Sequence, residues 1–401
     1  MKRRTFLKVL AQAGAVTLFW RKAEVAFSQA PHGTISPVGG KTTRVALAGV
    51  ERGASPETVK SAVRVAAESA TNFSWLSKGD AVFIKPALNS GKVYPATTSP
   101  EAIGAVVEML KEKGARRVIV GDMSGIEHVK LSQDDLSGSS RRLMEASGIA
   151  KAAVTAGAEL HFFEEAGWAA FYEDLPAAGS NWKRGLMMPN IFKEVDHIIL
   201  MPRCSRHVLA GSTLGLKAAV GYWRTDTRLE YHRDAATFQE KTADGNTVST
   251  LLKKQRLVIS AADKILTTYG PDKGLIVEPK IGLILASESV VAHDMASLAW
   301  LLENRLTVPS SEKEGLKDPY SSQLLVSAGN HWVVSKLGTL GQAVESERLT
   351  RNDINTIWDD RVLNRAYQIF GGMPTVALEP ANDAVPQALK KRLAEYTTPP
   401  A

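Results

Sequence analysis

The sequence predicts an α/β fold: a mainly parallel sheet flanked by helices, with a more helical C-terminal extension. Short apolar segments typical of buried strands alternate with amphipathic segments typical of helices. Capping residues, glycines and prolines separate these segments, as expected at the ends of regular elements. The 401 residues are 44% hydrophobic, which is enough apolar material for a large core.

The predicted elements follow in a regular order along the chain. Ser55 caps the first helix with Pro56 in its first turn, and Ser99 with Pro100 begins the second helix in the same way. We predict strands over 44–50, 81–85, 118–120, 160–163, 197–201, 257–261 and 281–286, and helices over 55–70, 99–113, 141–156, 291–302, 359–370 and 385–396. We therefore expect an α/β domain over 42–305 and a mostly helical extension over 306–401.

The first thirty residues have the pattern of an export signal. Arg3 and Arg4 precede an uncharged run over 9–20, which resembles a twin-arginine signal that directs a folded protein across the inner membrane. The run is too short and too polar to span hydrocarbon, which needs about 20 mostly apolar residues. We expect the twin-arginine export machinery as a partner, a periplasmic or otherwise exported location, and a mature protein that does not span the membrane. Cleavage after Ser28, cleavage after Ala30 and an uncut anchor stay open.

The charge of the chain is concentrated in this signal. The formal net charge is +7, and six basic residues of the first thirty are opposed by Glu24 alone. Without the signal the net charge falls to about +2, which gives no reason to expect a nucleic acid as partner.

A single cysteine, Cys204, limits the cofactors that the chain can hold. No internal disulfide, no iron–sulfur cluster and no zinc site with four cysteine ligands can form. Arg203, Arg206 and His207 surround Cys204 in sequence and favour its thiolate, so it is a minor candidate for chemistry. The alternative is a buried and inert thiol.

Polar residues follow the ends of five predicted strands. In open α/β sheets, ligands bind just beyond the carboxyl ends of the strands. Each residue alone is explained by a helix cap or by contact with solvent, but together they predict a cleft that binds a small anionic molecule. The candidates are Lys85 and Asn89; Asp122 and Ser124; Arg203, Arg206 and His207; Asp263; and Ser287 with Glu288.

The segment 211–217 is a candidate anion-binding loop. It lacks the spacing of a phosphate-binding Walker loop, because three residues separate its glycines and Leu216 precedes Lys217. A helix beginning near Ser212 would still offer backbone N–H groups to a carboxylate or phosphate, with Lys217 as the opposite charge. An ordinary surface lysine is the alternative. No GxGxxG or GxSxG motif supports a dinucleotide-binding or a nucleophile-elbow enzyme.

Histidines provide the candidates for catalysis and for metal binding. His207 and His232 are candidate acid/base residues, and His293 with Asp294 is a candidate site for a divalent transition metal. None of these has the i, i+4 histidine pair of a helix-borne zinc site, and the alternative for Asp294 is an interaction with the dipole of the helix that it begins.

An ordered series of motifs resembles the domain of unknown function 362 family. The resemblance extends over about 81–302 and implies the α/β fold without implying a reaction. Relatives commonly have Asn where Ala87 and Ala218 stand, Lys near Arg203, and Asp-Pro where Ser289-Val290 stands; many also carry a ferredoxin-like module that this chain lacks. The motifs lie at 82–89, 97–100, 118–122, 198–202, 213–221 and 286–294.

The family is in turn similar to the N-terminal domain of nickel-pincer lactate racemases. That similarity implies that His207, Lys217 and His232 hold a cofactor or move a proton, with Lys217 pairing with a substrate carboxylate.

Three hypotheses about function result. The leading one is an exported protein that binds a small anionic ligand or cofactor at the carboxyl ends of the strands. The second is a metal- or cofactor-assisted acid/base enzyme of the racemase type. The third is a non-catalytic interaction or assembly protein that uses the segment after Thr307.

Overall fold

An eight-stranded sheet forms the centre of the protein in a computed structural model that describes residues 41–400. The predicted signal over 1–30 lies outside the described residues. The described residues also form three smaller sheets. The strands of all four sheets, in chain order, are β1 (Thr42–Glu51), β2 (Ala81–Pro86), β3 (Arg117–Asp122), β4 (Lys130–Leu131), β5 (Leu136–Ser137), β6 (Glu159–Phe162), β7 (Phe171–Asp174), β8 (Leu186–Pro189), β9 (His197–Met201), β10 (Ser205–His207), β11 (Gly211–Thr213), β12 (Gln255–Ala262), β13 (Ile265–Leu266), β14 (Ile276–Val277), β15 (Ile281–Ser287) and β16 (Thr375–Pro380).

Helices cover the sheet and form most of the regular structure of the C-terminal segment. They are α1 (Pro56–Ala70), α2 (Pro100–Glu112), α3 (Ser140–Ala146), α4 (Ile149–Thr155), α5 (Ile191–Glu194), α6 (Gly215–Ala218), α7 (Thr225–Arg233), α8 (Phe238–Asp244), α9 (Ser249–Lys254), α10 (Val290–Leu306), α11 (Gln323–Leu337), α12 (Leu340–Val344), α13 (Arg361–Ile369) and α14 (Gln387–Thr397). Within residues 41–400, no helix combines the length and the apolar character needed to cross a membrane.

The central sheet is mainly parallel, which confirms the predicted fold class. Its strand order is β16-β1-β15-β12-β9-β2-β3-β6, and only β15 runs antiparallel to its neighbours β1 and β12. Because β15 is reversed, Ser287 and Glu288 lie at the opposite edge from the ends of β2, β3, β9 and β12. The expectation that they join the same rim is therefore wrong.

The two faces of the sheet bury separate cores. Along β1, Val45 and Leu47 pack into one core while Ala46 and Ala48 pack into the other. This alternation follows from the period of two residues in a strand. One core lies under α1 and α2, and the other contains residues of α10, α13 and α14.

Local sequence signals set the ends of the helices. Ser55 Oγ accepts the Thr58 N–H group and Ser99 Oγ accepts the Ala102 N–H group, as the capping pattern predicts. The single helix predicted over 141–156 is instead two helices, α3 and α4. Gly148 separates them at a φ of 85°, a left-handed conformation that favours glycine.

The C-terminal segment shares the central sheet and its core. β16 pairs in parallel with β1, and Leu378 and Leu393 are buried with residues of the preceding chain. The extension predicted over 306–401 thus adds an edge strand, while most of its regular structure is helical.

Candidate functional site

A cavity of about 230 Å³ opens at the carboxyl ends of β2, β3 and β9. This is the edge of a parallel sheet at which ligands are expected. Of the residues that the sequence predicts for the site, those that line the cavity are Lys85, Asn89, Asp122, Arg203, His207, Lys217 and His232.

A buried ion pair forms part of the cavity wall. Lys85 Nζ lies 3.2 Å from both carboxylate oxygens of Asp122, and each side chain is 3% exposed. Asp122 also accepts the backbone N–H group of Leu88. Gly221 packs directly against this pair, and a Cβ atom there would collide with Lys85 Nζ and Asp122 Oδ1. A glycine at 221 is therefore needed for the close approach of the backbone.

Arg203 lies in the cavity wall without a hydrogen bond. Its side chain follows β9, the residue is 3% exposed, and none of the described residues accepts a hydrogen bond from its guanidinium group. Burial lowers the pKa of Arg203 to about 10, which still leaves it charged at neutral pH. A buried charge without hydrogen bonds is unfavourable, so this side chain is set up for a partner that the chain itself does not provide.

Lys217 is a second cavity cation with no acceptor among the described residues. It lies on α6, is half-buried, and its nearest aromatic contact is the Tyr231 ring, at 5.7 Å from Nζ. Burial, followed by repulsion from Arg203, Arg228 and Lys85, lowers the pKa of Lys217 to about 7. Its ammonium group is therefore close to half protonated at neutral pH.

Arg228 is a site residue that sequence reasoning missed. Its Nε and both Nη atoms donate to the backbone carbonyls of residues 123, 124, 221 and 223 at 2.8–3.0 Å. These bonds fix a positive charge beside the cavity. Arg228 lies on a helix and follows no strand, so a search for polar residues at strand ends does not predict it. The available signal was its position four residues before His232 on α7, which places both side chains on one face of the helix.

His207 presents a donor to the cavity. Its Nδ1 accepts the backbone N–H groups of Leu209 and Ala210 at 3.0 and 3.2 Å. This geometry assigns the proton of the neutral ring to Nε2. Burial and the nearby charges of Lys217 and Arg203 hold the pKa of His207 well below its usual range. His207 is thus neutral, and Nε2 can donate but not accept.

His232 has the opposite tautomer. Asn330 donates through Nδ2 to the His232 carbonyl, so its Oδ1 accepts from His232 Nδ1 at 2.9 Å. Nε2 of the neutral ring is then the unprotonated nitrogen. Burial lowers the pKa of His232 to about 3. The cavity therefore holds one imidazole donor and one imidazole acceptor.

The helix N-terminus at 215 does not have the role expected from the sequence. The helix begins at Gly215 and not near Ser212, which lies in β11. Asp294 accepts the N–H groups of Gly215 and Leu216 at 2.7 Å each. The expected use of these groups for an external anion is wrong, because a carboxylate of the chain already occupies them.

The predicted metal pair His293 and Asp294 is buried away from the cavity. His293 Nε2 lies 2.9 Å from Ser260 Oγ, and its Nδ1 lies 2.9 Å from Asp294 Oδ1. With Asp294 capping α6, this geometry gives both residues a structural role.

The remaining predicted residues also have partners outside the cavity. Arg206 pairs with the fully buried Asp318 at 3.1 Å, and Asp263 accepts from Tyr94 Oη at 2.6 Å. Ser124 contributes its carbonyl to Arg228 but does not line the cavity. Cys204 is 1% exposed, and burial raises the pKa of its thiol, so the idea of a reactive thiolate there is wrong.

A group of metal-ligand type side chains lies at the rim of the cavity. Ligand atoms of Glu127, His128 and Asp272 fall within 4.8 Å of one another. Asp272 also accepts from Asn89 Nδ2 at 2.9 Å. This donor set suits a divalent cation better than the inner cavity does, because Arg203 and Lys217 would repel one there.

Comparison of the sequence with known protein families identifies the family of the chain. The family described as domain of unknown function (DUF362) matches residues 82–299, more than half of the chain. The chain belongs to the DUF362 family. The matched region includes Lys85, Arg203, Lys217 and Arg228, whereas α11 lies outside it.

Solved structures show distant similarity. The lactate racemase apoprotein from Thermoanaerobacterium thermosaccharolyticum is 13% identical, with a TM-score of 0.39 over 67% of this chain and 57% of that chain. A protein from Thermotoga maritima is 14% identical, with a TM-score of 0.36 over 61% of this chain and 58% of that chain. The chain thus spans less than two thirds of either protein. A comparison with curated proteins finds no match.

Gly221→Ala tests the close approach of the backbone to the Lys85–Asp122 pair. We expect this substitution to lower the free energy of unfolding by about 1–3 kcal/mol, because the added methyl group forces the buried pair apart. Gly104→Ala is the matched control, since a Cβ there meets its nearest atoms at 3.7 and 3.9 Å inside α2. Urea unfolding should show a neutral or stabilising effect for the control. Equal stability of both variants would contradict the assignment.

Lys217→Met tests whether the cavity cation destabilises the fold. We expect the melting temperature at pH 7 to rise by roughly 1–3 °C, because an unpaired cation is replaced by an apolar side chain of similar length. The pKa of Lys217 is lower in the folded than in the unfolded state. The free energy of unfolding of the unsubstituted protein should therefore increase between about pH 7 and 10, and this increase should be absent in Lys217→Met.

Lys241→Met is the control for the previous prediction. Lys241 is also buried, but its Nζ donates to the Asp234 carbonyl at 3.1 Å and lies 4.0 Å from the Asp234 carboxylate. Its replacement should lower the melting temperature, because Asp234 loses a partner. A decrease for both variants would show that Lys217 is stabilised by contacts in the native state.

Proposed function

We propose that the protein binds a small organic anion, a carboxylate or a phosphate ester, in the cavity, and that it does so after export through the twin-arginine pathway. The observation that carries the proposal is the Arg203 guanidinium group, which is buried, charged and without a hydrogen-bond acceptor among the described residues. An anion accepting from Arg203 would remove this cost and gain charge-assisted hydrogen bonds.

The charge of the cavity wall supports the same ligand class. The charged side chains that line it are Lys85, Arg203, Lys217, Arg228 and Lys273, and Asp122, Glu127 and Asp272. Asp122 compensates Lys85, while the donors of Arg228 are used by carbonyl groups. Lys273 has contacts of its own, including the Tyr269 ring at 4.7 Å from Nζ. Among the described residues, Arg203 and Lys217 are therefore the two lining cations left to contact an anion directly. Thr213 Oγ1 is buried in the wall, has no hydrogen-bond partner within residues 41–400, and is a further donor.

A second candidate function, acid/base catalysis on the bound anion, is favoured by the two histidine tautomers. His232 Nε2 is positioned to accept a proton, and His207 Nε2 to donate one. A bound anion would raise the low pKa of His232 and make it a better base. A metal ion held by Glu127, His128 and Asp272 would supply a Lewis acid at the rim.

Titration calorimetry with acetate, inorganic phosphate and phosphoenolpyruvate tests the proposed anion site. At pH 6 we expect at least one of these anions to bind, and Arg203→Gln to weaken its binding by about tenfold or more. Arg141→Gln is the control, because Arg141 pairs with Glu165 on the surface. Absence of binding by all three anions, or an equal loss in the control, would refute the assignment.

The pH dependence of binding provides an independent test of Lys217. Lys217 loses its proton near pH 7 in the unliganded protein, so anion binding above that pH must take up a proton. We therefore expect the affinity to be highest below about pH 7 and to fall as the pH rises, up to tenfold per pH unit. Lys217→Met should bind weakly at every pH. An affinity of the unsubstituted protein that is constant from pH 6 to 9 would exclude Lys217 from the site.

A further inference from the structure

One wall of the cavity is apolar and comes from α11. Leu325, Trp332, Val333 and Leu337 of this helix line the same cavity as Arg203 and Lys217. Leu325, Trp332 and Val333 are only half-buried. An inorganic anion would contact Arg203 and Lys217 and leave this apolar surface in contact with water, which is unfavourable.

α11 is held in a fixed position relative to the cavity. Asn330 makes two hydrogen bonds with His232, one to the ring at 2.9 Å and one to the backbone carbonyl at 2.8 Å. Asn330 is fully buried. These bonds join α11 to α7, the helix that also carries Arg228. The apolar wall therefore lies at a set distance from the cationic side, as in a preformed binding site.

The cavity also has more space than an inorganic anion needs. Its volume of about 230 Å³ is many times the roughly 10–15 Å³ that a cavity needs to hold one water molecule. A carboxylate or phosphate group on Arg203 and Lys217 would fill only part of it. The rest of the space adjoins Trp332, Val333 and Leu325.

We infer that the ligand is an amphiphilic organic acid, whose anionic group contacts Arg203 and Lys217 and whose apolar substituent packs against Trp332 and its neighbours on α11. This inference rests on the proposed function and names its substrate class. α11 lies outside the region matched by the family, so its share of the apolar lining comes from the C-terminal segment, whereas Leu88, Val208 and Leu209 of the lining lie inside that region.

Binding of a graded series of acids tests the inference. With acetate, butyrate, hexanoate and phenylacetate at pH 6, we expect the affinity to rise by about fourfold for each methylene group that becomes buried, until the space is filled. Trp332→Ala should flatten the series, with a larger loss of affinity for hexanoate and phenylacetate than for acetate. Leu324→Ala is the matched control, because Leu324 lies on the same helix, is 57% exposed and does not line the cavity.

Leu325→Ala provides a second variant in case Trp332→Ala does not fold, and circular dichroism checks both. Leu325→Ala should reduce the increase in binding affinity from acetate to hexanoate, with a smaller effect on the affinity for acetate itself. An affinity that is the same for acetate, hexanoate and phenylacetate would overturn the inference while leaving the anion site in place. If acetate, the longer acids and inorganic phosphate all fail to bind, the proposed function itself fails, and the inference with it.

Discussion

The site depends on positive charge that the fold keeps in its interior without compensating it fully. Arg203 and Lys217 have no hydrogen-bond acceptor among the described residues, although burial lowers the pKa of both. Such charges reduce the stability of the native state, and the two apolar cores on either side of the sheet offset that loss. An anion that enters the cavity relieves the same unfavourable interaction. The free energy lost by burying the two cations without acceptors is then recovered as part of the binding free energy. Stability and affinity are coupled here through the same two side chains.

The surrounding structure prevents these cations from finding partners within the chain. Asp272 and Asp122 act electrostatically on Arg203, but Asp272 accepts from Asn89 Nδ2, and Asp122 is occupied by Lys85 and by the Leu88 N–H group. Asp294 is occupied by the N–H groups that begin α6. Because α6 is capped by a side chain of the protein, its backbone is not available to a ligand, and recognition is left to side chains. Side chains such as Arg203 give directional, charge-assisted bonds, which suit a carboxylate or phosphate group.

The sequence predicts the central sheet well, since its strands are short apolar segments with clear capping and proline signals between them. It also predicts cavity residues where β2, β3 and β9 end, as at Lys85, Asp122 and Arg203, whereas Asp263 after β12 does not line the cavity. The prediction failed for Ser287 and Glu288, because strand direction is not encoded in apolar pattern and β15 runs antiparallel. Residues such as Arg228 and Trp332 were not found, because they reach the cavity from helices whose packing is set by contacts distant in sequence. The His207 and His232 tautomers depend on single hydrogen bonds, which no sequence pattern specifies.

The cavity combines side chains of the family-matched region with an apolar contribution from α11. Lys85, Arg203, Lys217 and Arg228 all lie within the region shared with the DUF362 family, whereas α11 lies beyond it. The two parts meet at Asn330, which bonds to His232 on α7. Substitutions on the cavity face of α11 can therefore change the shape of the space beside the anion site without moving the cations. In physical terms, electrostatic attraction for the anionic group and apolar packing of its substituent are separable contributions, since one arises from Arg203 and Lys217 and the other from apolar side chains, among them those of α11.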